Sequence, residues 1–125
     1  MNRVVMNYLA VAAAGAVGAV LRFFVARLFA GSTWPLGTFI INITGSLFLG
    51  WFLTRFGDRI EISEPLRLGI AVGFVGAYTT FSTYMFESDK LIRDGEWLSA
   101  SFYLAGSLFI GLLAVRLGAI VAHRM

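Results

Sequence analysis

The sequence predicts an all-α membrane protein with four transmembrane helices per subunit, and three observations carry that prediction. Hydrophobic residues make up 58% of the 125 and charged residues only 14%, against roughly 45–50% and about 25% in ordinary soluble domains. Four uncharged stretches, Val4 to Leu21, Leu28 to Thr54, Leu68 to Phe86 and Trp97 to Val115, each hold a helix of about 20 residues, enough to cross a hydrocarbon core of about 30 Å. None alternates strictly as a barrel strand does, and only helices or closed barrels satisfy their backbone polar groups in lipid. The spans are placed at 4–29, 36–55, 66–92 and 96–121, in one integral membrane domain covering 1–125.

The first span opens on Arg3 and resembles a signal peptide, with Ala12 to Ala14 imitating a cleavage site. The uncharged run is nonetheless long enough to span, and similar segments recur after it, so it is read as a transmembrane helix. Gly15, Gly18, Ala19 and Arg22 share one face of it, at helical spacing. Small residues let helices approach closely where lipid gives them no hydrophobic reason to associate. Arg22, at the end of the run, suits snorkelling. It is expected to anchor structure or close an aqueous vestibule rather than to bind an ion directly.

Gly31, Ser32, Thr33 and Pro35 form the first turn. The second span then carries Thr38, Asn42, Gly45 and Ser46 on one face, amid Phe, Ile and Leu. The NH₂ of Asn42 can donate to an anion while its carbonyl is held by a neighbour, or the amide can simply join two helices. The second turn runs from Gly57 to Pro65, and Ser63 ahead of Glu64 and Pro65 reads as a helix start.

The third span is the most informative. Gly69, Gly73 and Gly76 repeat the small-residue device, and hydroxyls at Tyr78, Thr79, Thr80, Ser82, Thr83 and Tyr84 cluster within its 19 uncharged residues. Gly76 permits unusual backbone angles and threonines are mediocre helix formers, so the helix is expected to break near Gly76 to Thr80, at midplane. Irregular backbone survives at that depth only where protein or water surrounds it, and there it exposes carbonyls and N–H groups to ions. After a turn at Asp94 to Glu96, the fourth span carries Gly106, Gly111 and Gly118, with Tyr103 and Ser107 one turn apart. Asn42, the third-span hydroxyls, Tyr103 and Ser107 form a track of neutral donors, suited to a small, strongly hydrated anion that no fixed cation should trap.

Four spans put the N-terminus, second loop and C-terminus on one side. That side holds Arg3, Arg55, Arg59, Arg67, Arg116 and Arg124, against Arg22, Arg27, Lys90 and Arg93 on the other. Lys and Arg near helix ends set orientation, and so even a balance permits insertion both ways, with an antiparallel homodimer as one consequence and a single orientation as the other. No cysteine is present, which excludes disulfides and thiol chemistry, and one histidine, His123, argues against zinc. The net charge of +3 is dispersed, with no basic patch for nucleic acid. No nucleophile, base and oxyanion-donor set suggests an enzyme. A proton-coupled exporter of four short spans would need a membrane-embedded carboxylate, and the first three helices hold none before Glu87; a structural adaptor would not need a mid-span hydroxyl cluster.

Gly15-Ala-Val-Gly-Ala-Val-Leu-Arg22, Gly37-Thr-Phe-Ile-Ile-Asn42-Ile-Thr-Gly and Gly73-Phe-Val-Gly-Ala-Tyr-Thr-Thr-Phe-Ser-Thr-Tyr84 resemble, in order and spacing, the hallmark segments of the Fluc (CrcB-type) fluoride channels. The likeness covers essentially the whole chain. It implies passive fluoride export that lowers fluoride toxicity, from a multi-pass protein of the bacterial inner membrane, surrounded by lipid and built as a dual-topology antiparallel homodimer. It also implies a central structural Na⁺ held by the backbone carbonyls of Gly76 and Thr79 from both subunits. Asn42 matches the pore asparagine, and Phe81 the first of two pore phenylalanines whose positively polarised ring edges face fluoride. The second falls on Tyr84, where the family more usually has Phe. Glu87 matches an acidic residue past the break, Tyr103 and Ser107 the polar line of the fourth helix, and Arg22 a vestibule or structural arginine. Ser82, Thr83 and Thr38 complete the residues assigned to the pathway and its vestibule.

Overall fold

A computed structural model describes all 125 residues. Helix α1 (Arg3–Leu28) starts on Asn2, whose side chain accepts from the N–H groups of Val4 and Val5. Helix α2 (Leu36–Phe56) follows Pro35. The third span begins where Ser63 accepts from the Leu66 N–H, with Pro65 in the first turn. Its first half, called α3, is continuous helical backbone from Glu64–Leu68 through a π-helical stretch, Gly69–Val75, to a last turn at Gly76–Tyr78. Its second half is α4 (Phe81–Arg93), and α5 (Trp97–His123) completes the chain. Gly95, at φ +79°, makes the tight α4–α5 turn, a left-handed position that favours glycine.

The architecture is all-helical, with four helices of which the third is interrupted. Three of them, Arg3–Leu28, Leu36–Phe56 and Trp97–His123, are long and apolar enough to cross a membrane by themselves. Only 17 of 125 residues are buried, while large apolar side chains such as Val20, Phe23, Phe109 and Leu113 point outward along the spans. Such an exterior is a liability in water and a solvated surface in hydrocarbon.

The helices associate as two parallel pairs. Along α1 and α3, Asn7 meets Glu64 at 2.9 Å and Arg22 meets Ala77 at 2.9 Å. Between them the glycines bring the backbones together: a Cβ on Gly18 would collide with the Phe74 carbonyl, and one on Gly73 would lie 2.6 Å from the Val11 carbonyl oxygen. Along α2 and α5, Gly50 and Gly118 play the same part against Val115 and Leu47. Gly76 and Gly106 face open space within one chain, so the small-residue faces divide into those used inside the subunit and those left outward.

The interruption falls at Thr79 and Thr80, both extended, at φ −83°, ψ 158° and φ −148°, ψ 114°. Gly76, at φ −61°, ψ −36°, is ordinary right-handed helix. Its conformational freedom is therefore not what breaks the span; the break uses the readiness of β-branched threonine to adopt extended backbone.

Gly18→Leu is expected to destabilise the protein by about 3 kcal/mol or more, because helix backbone cannot yield to the added side chain, whereas Gly106→Ala should be neutral or slightly stabilising. Thermal melting of purified protein in detergent checks both, and a wild-type melting curve for Gly18→Leu would contradict the α1–α3 packing.

Candidate functional site

Where the third span leaves the helix, its backbone groups need other partners. Thr79 stays tied to α3, its N–H and its Oγ1 both donating to the Val75 carbonyl, at 3.0 and 2.9 Å. The N–H of Thr80, which would close onto Gly76 in a continuous helix, donates instead to Asn42 Oδ1 at 2.8 Å, and Asn42 Nδ2 donates back to the Thr80 carbonyl at 3.0 Å. The amide thus behaves as the neighbouring strand that this extended residue lacks. Thr80 Oγ1 then accepts from the Thr83 N–H at 3.2 Å and caps α4, the usual task of threonine at a helix start.

Two further contacts hold the same level. Arg22 Nε donates to the Ala77 carbonyl at 2.9 Å, placing a cation against the negative C-terminal end of α3. Helix α1 continues to Leu28, so Arg22 lies inside the helix and not at its end. It lies level with the break, anchored on backbone. The buried Tyr78 shares a 2.9 Å hydrogen bond with Thr44, whose Oγ1 is 2.7 Å from the Ile40 carbonyl. Thr44 is a residue that sequence reasoning missed: a threonine that satisfies itself on its own helix carries no distinct signal.

Beside the break runs an open groove of about 460 Å³ between α2, α4 and α5, whose lining includes Asn42, Ser46, Thr79, Thr80, Phe81, Tyr84, Ser107 and Gly111. Only one hydrogen of the Asn42 amide is engaged, leaving the second free. Ser107 Oγ is buried without a protein partner. Phe81 is 72% exposed. Ser46 belongs to the groove and was legible only as a member of a polar face.

From the groove a series of edge-to-face rings leads toward the first turn. Phe81 and Tyr84 stand 6.1 Å apart at 71°, Tyr84 and Tyr103 5.0 Å apart at 86°, and Tyr103 and Trp34 5.1 Å apart at 76°. The Tyr84 hydroxyl donates to the Leu104 carbonyl. Tyr103, fully buried, donates to Glu87 Oε1 at 2.9 Å. Glu87 in turn lines a small vestibule with Thr33, Trp34, Lys90 and Asp94. Thr38 is buried one turn before Asn42. Asn42, Phe81, Tyr84 and Ser107 thus come together, Tyr103 and Glu87 lie one layer further along, Thr83 is occupied in capping α4, and Ser82 is exposed outside the groove.

Four helices with apolar exteriors, one parted in mid-course beside a groove of neutral donors, define a small multi-pass membrane protein of the kind that places irregular backbone at an ion site. The family model described as CrcB-like protein, Camphor Resistance (CrcB), matches residues 9–119. A protein of Chloroflexus aurantiacus named fluoride-specific ion channel FluC is 46% identical over 116 residues, covering 90% of this chain and 91% of its own. A FluC of Acidobacterium capsulatum is 42% identical over 125 residues, covering 96% and 98%, and one of Roseiflexus is 38% identical over 121, covering 94% and 98%. The chain belongs to the CrcB family.

Asn42→Ala deletes both bonds to Thr80 and leaves its N–H and carbonyl without partners, an expected loss of about 2–3 kcal/mol. Denaturant or thermal unfolding in detergent measures it, and an unchanged stability would mean that Thr80 finds other partners.

Proposed function

We propose that this chain is the subunit of a passive, fluoride-selective channel that lets fluoride leave the cytoplasm. The single observation that carries this reading is the groove beside the interruption, where Asn42, Ser46, Ser107 and the ring of Phe81 converge. Fluoride is small and holds its water tightly, so a pathway must offer hydrogen-bond donors and polarised ring edges in exchange. It must also release the ion, and no Lys or Arg lines the groove; Arg22 is turned to the Ala77 carbonyl. The relatives bear the name of a fluoride-specific channel, and the protein is not an enzyme.

The subunits pair as an antiparallel, dual-topology homodimer in the bacterial inner membrane. Support comes from the near balance of flanking charge and from the outward Gly76 and Phe81, which leave the break open on one side of a single chain. A sodium ion held by the Gly76 and Thr79 carbonyls of both subunits fits this arrangement. The Thr80 N–H is turned away from Gly76 and no side chain crowds that glycine. When bound, the ion supplies fixed positive charge to backbone oxygens that the helix no longer uses. Hydrogen fluoride crosses membranes as a neutral acid and dissociates at cytoplasmic pH, so a passive anion pathway at a negative-inside potential suffices for export.

Liposomes containing the protein should release fluoride far faster than chloride down a simple gradient; equal chloride flux, or a requirement for a proton gradient, would overturn the reading. Phe81→Ile should lower fluoride flux by about tenfold, one lost interaction of ~1.4 kcal/mol, without preventing assembly. C-terminal reporters should appear on both sides of the membrane, and a single orientation would exclude the antiparallel homodimer.

A further inference from the structure

We propose that Tyr84 is a latched ring: its hydroxyl is committed to the Leu104 carbonyl, does not bind the ion, and sets how fast the groove passes it. The proposal rests on the fluoride-conduction reading above. Tyr84 lies in the first turn of α4, directly after the interruption, and forms groove wall between Phe81 and Ser107. Its ring is braced edge to face, by Phe81 at 6.1 Å and by Tyr103 at 5.0 Å.

A phenol has one hydrogen to donate. Here it goes to a backbone carbonyl in the uninterrupted helix α5, an acceptor that cannot move to follow the ring. Two consequences follow for an anion in the groove. With its hydrogen given away, the phenol oxygen presents only lone pairs, which repel an anion, so the Tyr84 hydroxyl offers the ion no donor. And the ring cannot swing about its Cα–Cβ bond without breaking a part-buried hydrogen bond. Ser107 stands on the same groove wall, and the tyrosine hydrogen is directed to the Leu104 carbonyl and not to its Oγ. An ion passing between Phe81 and α5 meets this ring in the groove wall, and the latch slows any displacement of it.

The test compares fluoride efflux from liposomes for the wild type, Tyr84→Phe, a protein with the Leu104–Ala105 amide replaced by an ester to weaken the acceptor, and the two changes combined. Tyr84→Phe should conduct about threefold to tenfold faster, the scale of one hydrogen bond, with the dependence on fluoride concentration and the exclusion of chloride unchanged. The ester should act in the same direction but less, and the combination should be no faster than Tyr84→Phe, since the shared interaction is already gone. A weaker apparent fluoride affinity in Tyr84→Phe would mean that the hydroxyl binds the ion and would overturn the latch. So would slower or unchanged flux in a variant that melts like the wild type, or additive effects of the two changes. Should Tyr84→Phe not fold, the ester protein alone decides by its rate. A wild type that passes no fluoride overturns the conduction reading itself, whereas a conducting wild type with an unaccelerated variant overturns only the latch.

Discussion

A peptide group released from a helix inside hydrocarbon has no water to turn to, and the exchange of hydrogen bonds between Asn42 and Thr80 is what lets the third helix part. Unpartnered, those backbone groups would together cost about 2–3 kcal/mol, which would favour a return to continuous helix. One side-chain amide answers both, because its oxygen and nitrogen are spaced as a strand neighbour's carbonyl and N–H are. The interruption is therefore a stable element of the fold, and the groove exists because the two halves of the span no longer continue one another.

The rest of the molecule brings partners within reach of that residue. Close approach at Gly18 and Gly73 lets α1 lie along α3, so that Arg22, a side chain costly to hold in lipid, meets the Ala77 carbonyl. Close approach at Gly50 and Gly118 sets α5 beside α2, which brings Ser107 into the groove with Asn42 and Tyr103 to Glu87. Glycine, arginine and asparagine thus act at successive levels: backbone contact, capping of a helix end, and replacement of a lost ladder bond. The groove is neutral because Arg22, its Nε turned to the Ala77 carbonyl, lies outside the lining.

Much of this was legible in the sequence, for reasons that differ by element. The spans follow from length and hydrophobicity, which the bilayer alone dictates. The turns at Ser63 and Gly95 follow from capping chemistry. The break was legible from the hydroxyl cluster but not its residue: glycine marks where an unusual conformation is allowed, whereas the conformation adopted depends on where Asn42 reaches, a distance set by helix packing. For the same reason Asn42 could be read either as an ion ligand or as interhelical glue, and the geometry gives one of its amide hydrogens to the glue while the other stays free. Arg22 ends an uncharged run, yet the helix runs past it, and a carbonyl across the interface accepts a hydrogen bond from its Nε. Thr44 was silent because its role depends on Tyr78 in α3, and Ser46 was legible only as part of a polar face because its place in the groove depends on α5.

The parallel pairing of α1 with α3 and of α2 with α5 also governs how the chain is made. Helices that emerge from the ribosome one after another usually meet first as antiparallel hairpins, but here Arg22 must wait for Ala77 and Asn42 for Thr80, contacts separated by 55 and 38 residues. Insertion and packing are therefore distinct in time: the first two helices stand in the bilayer without their long-range partners until the second half arrives. A cut in the loop after α2 would sever no such contact yet would separate the members of each pair, leaving each half-protein with one surface of both pairs.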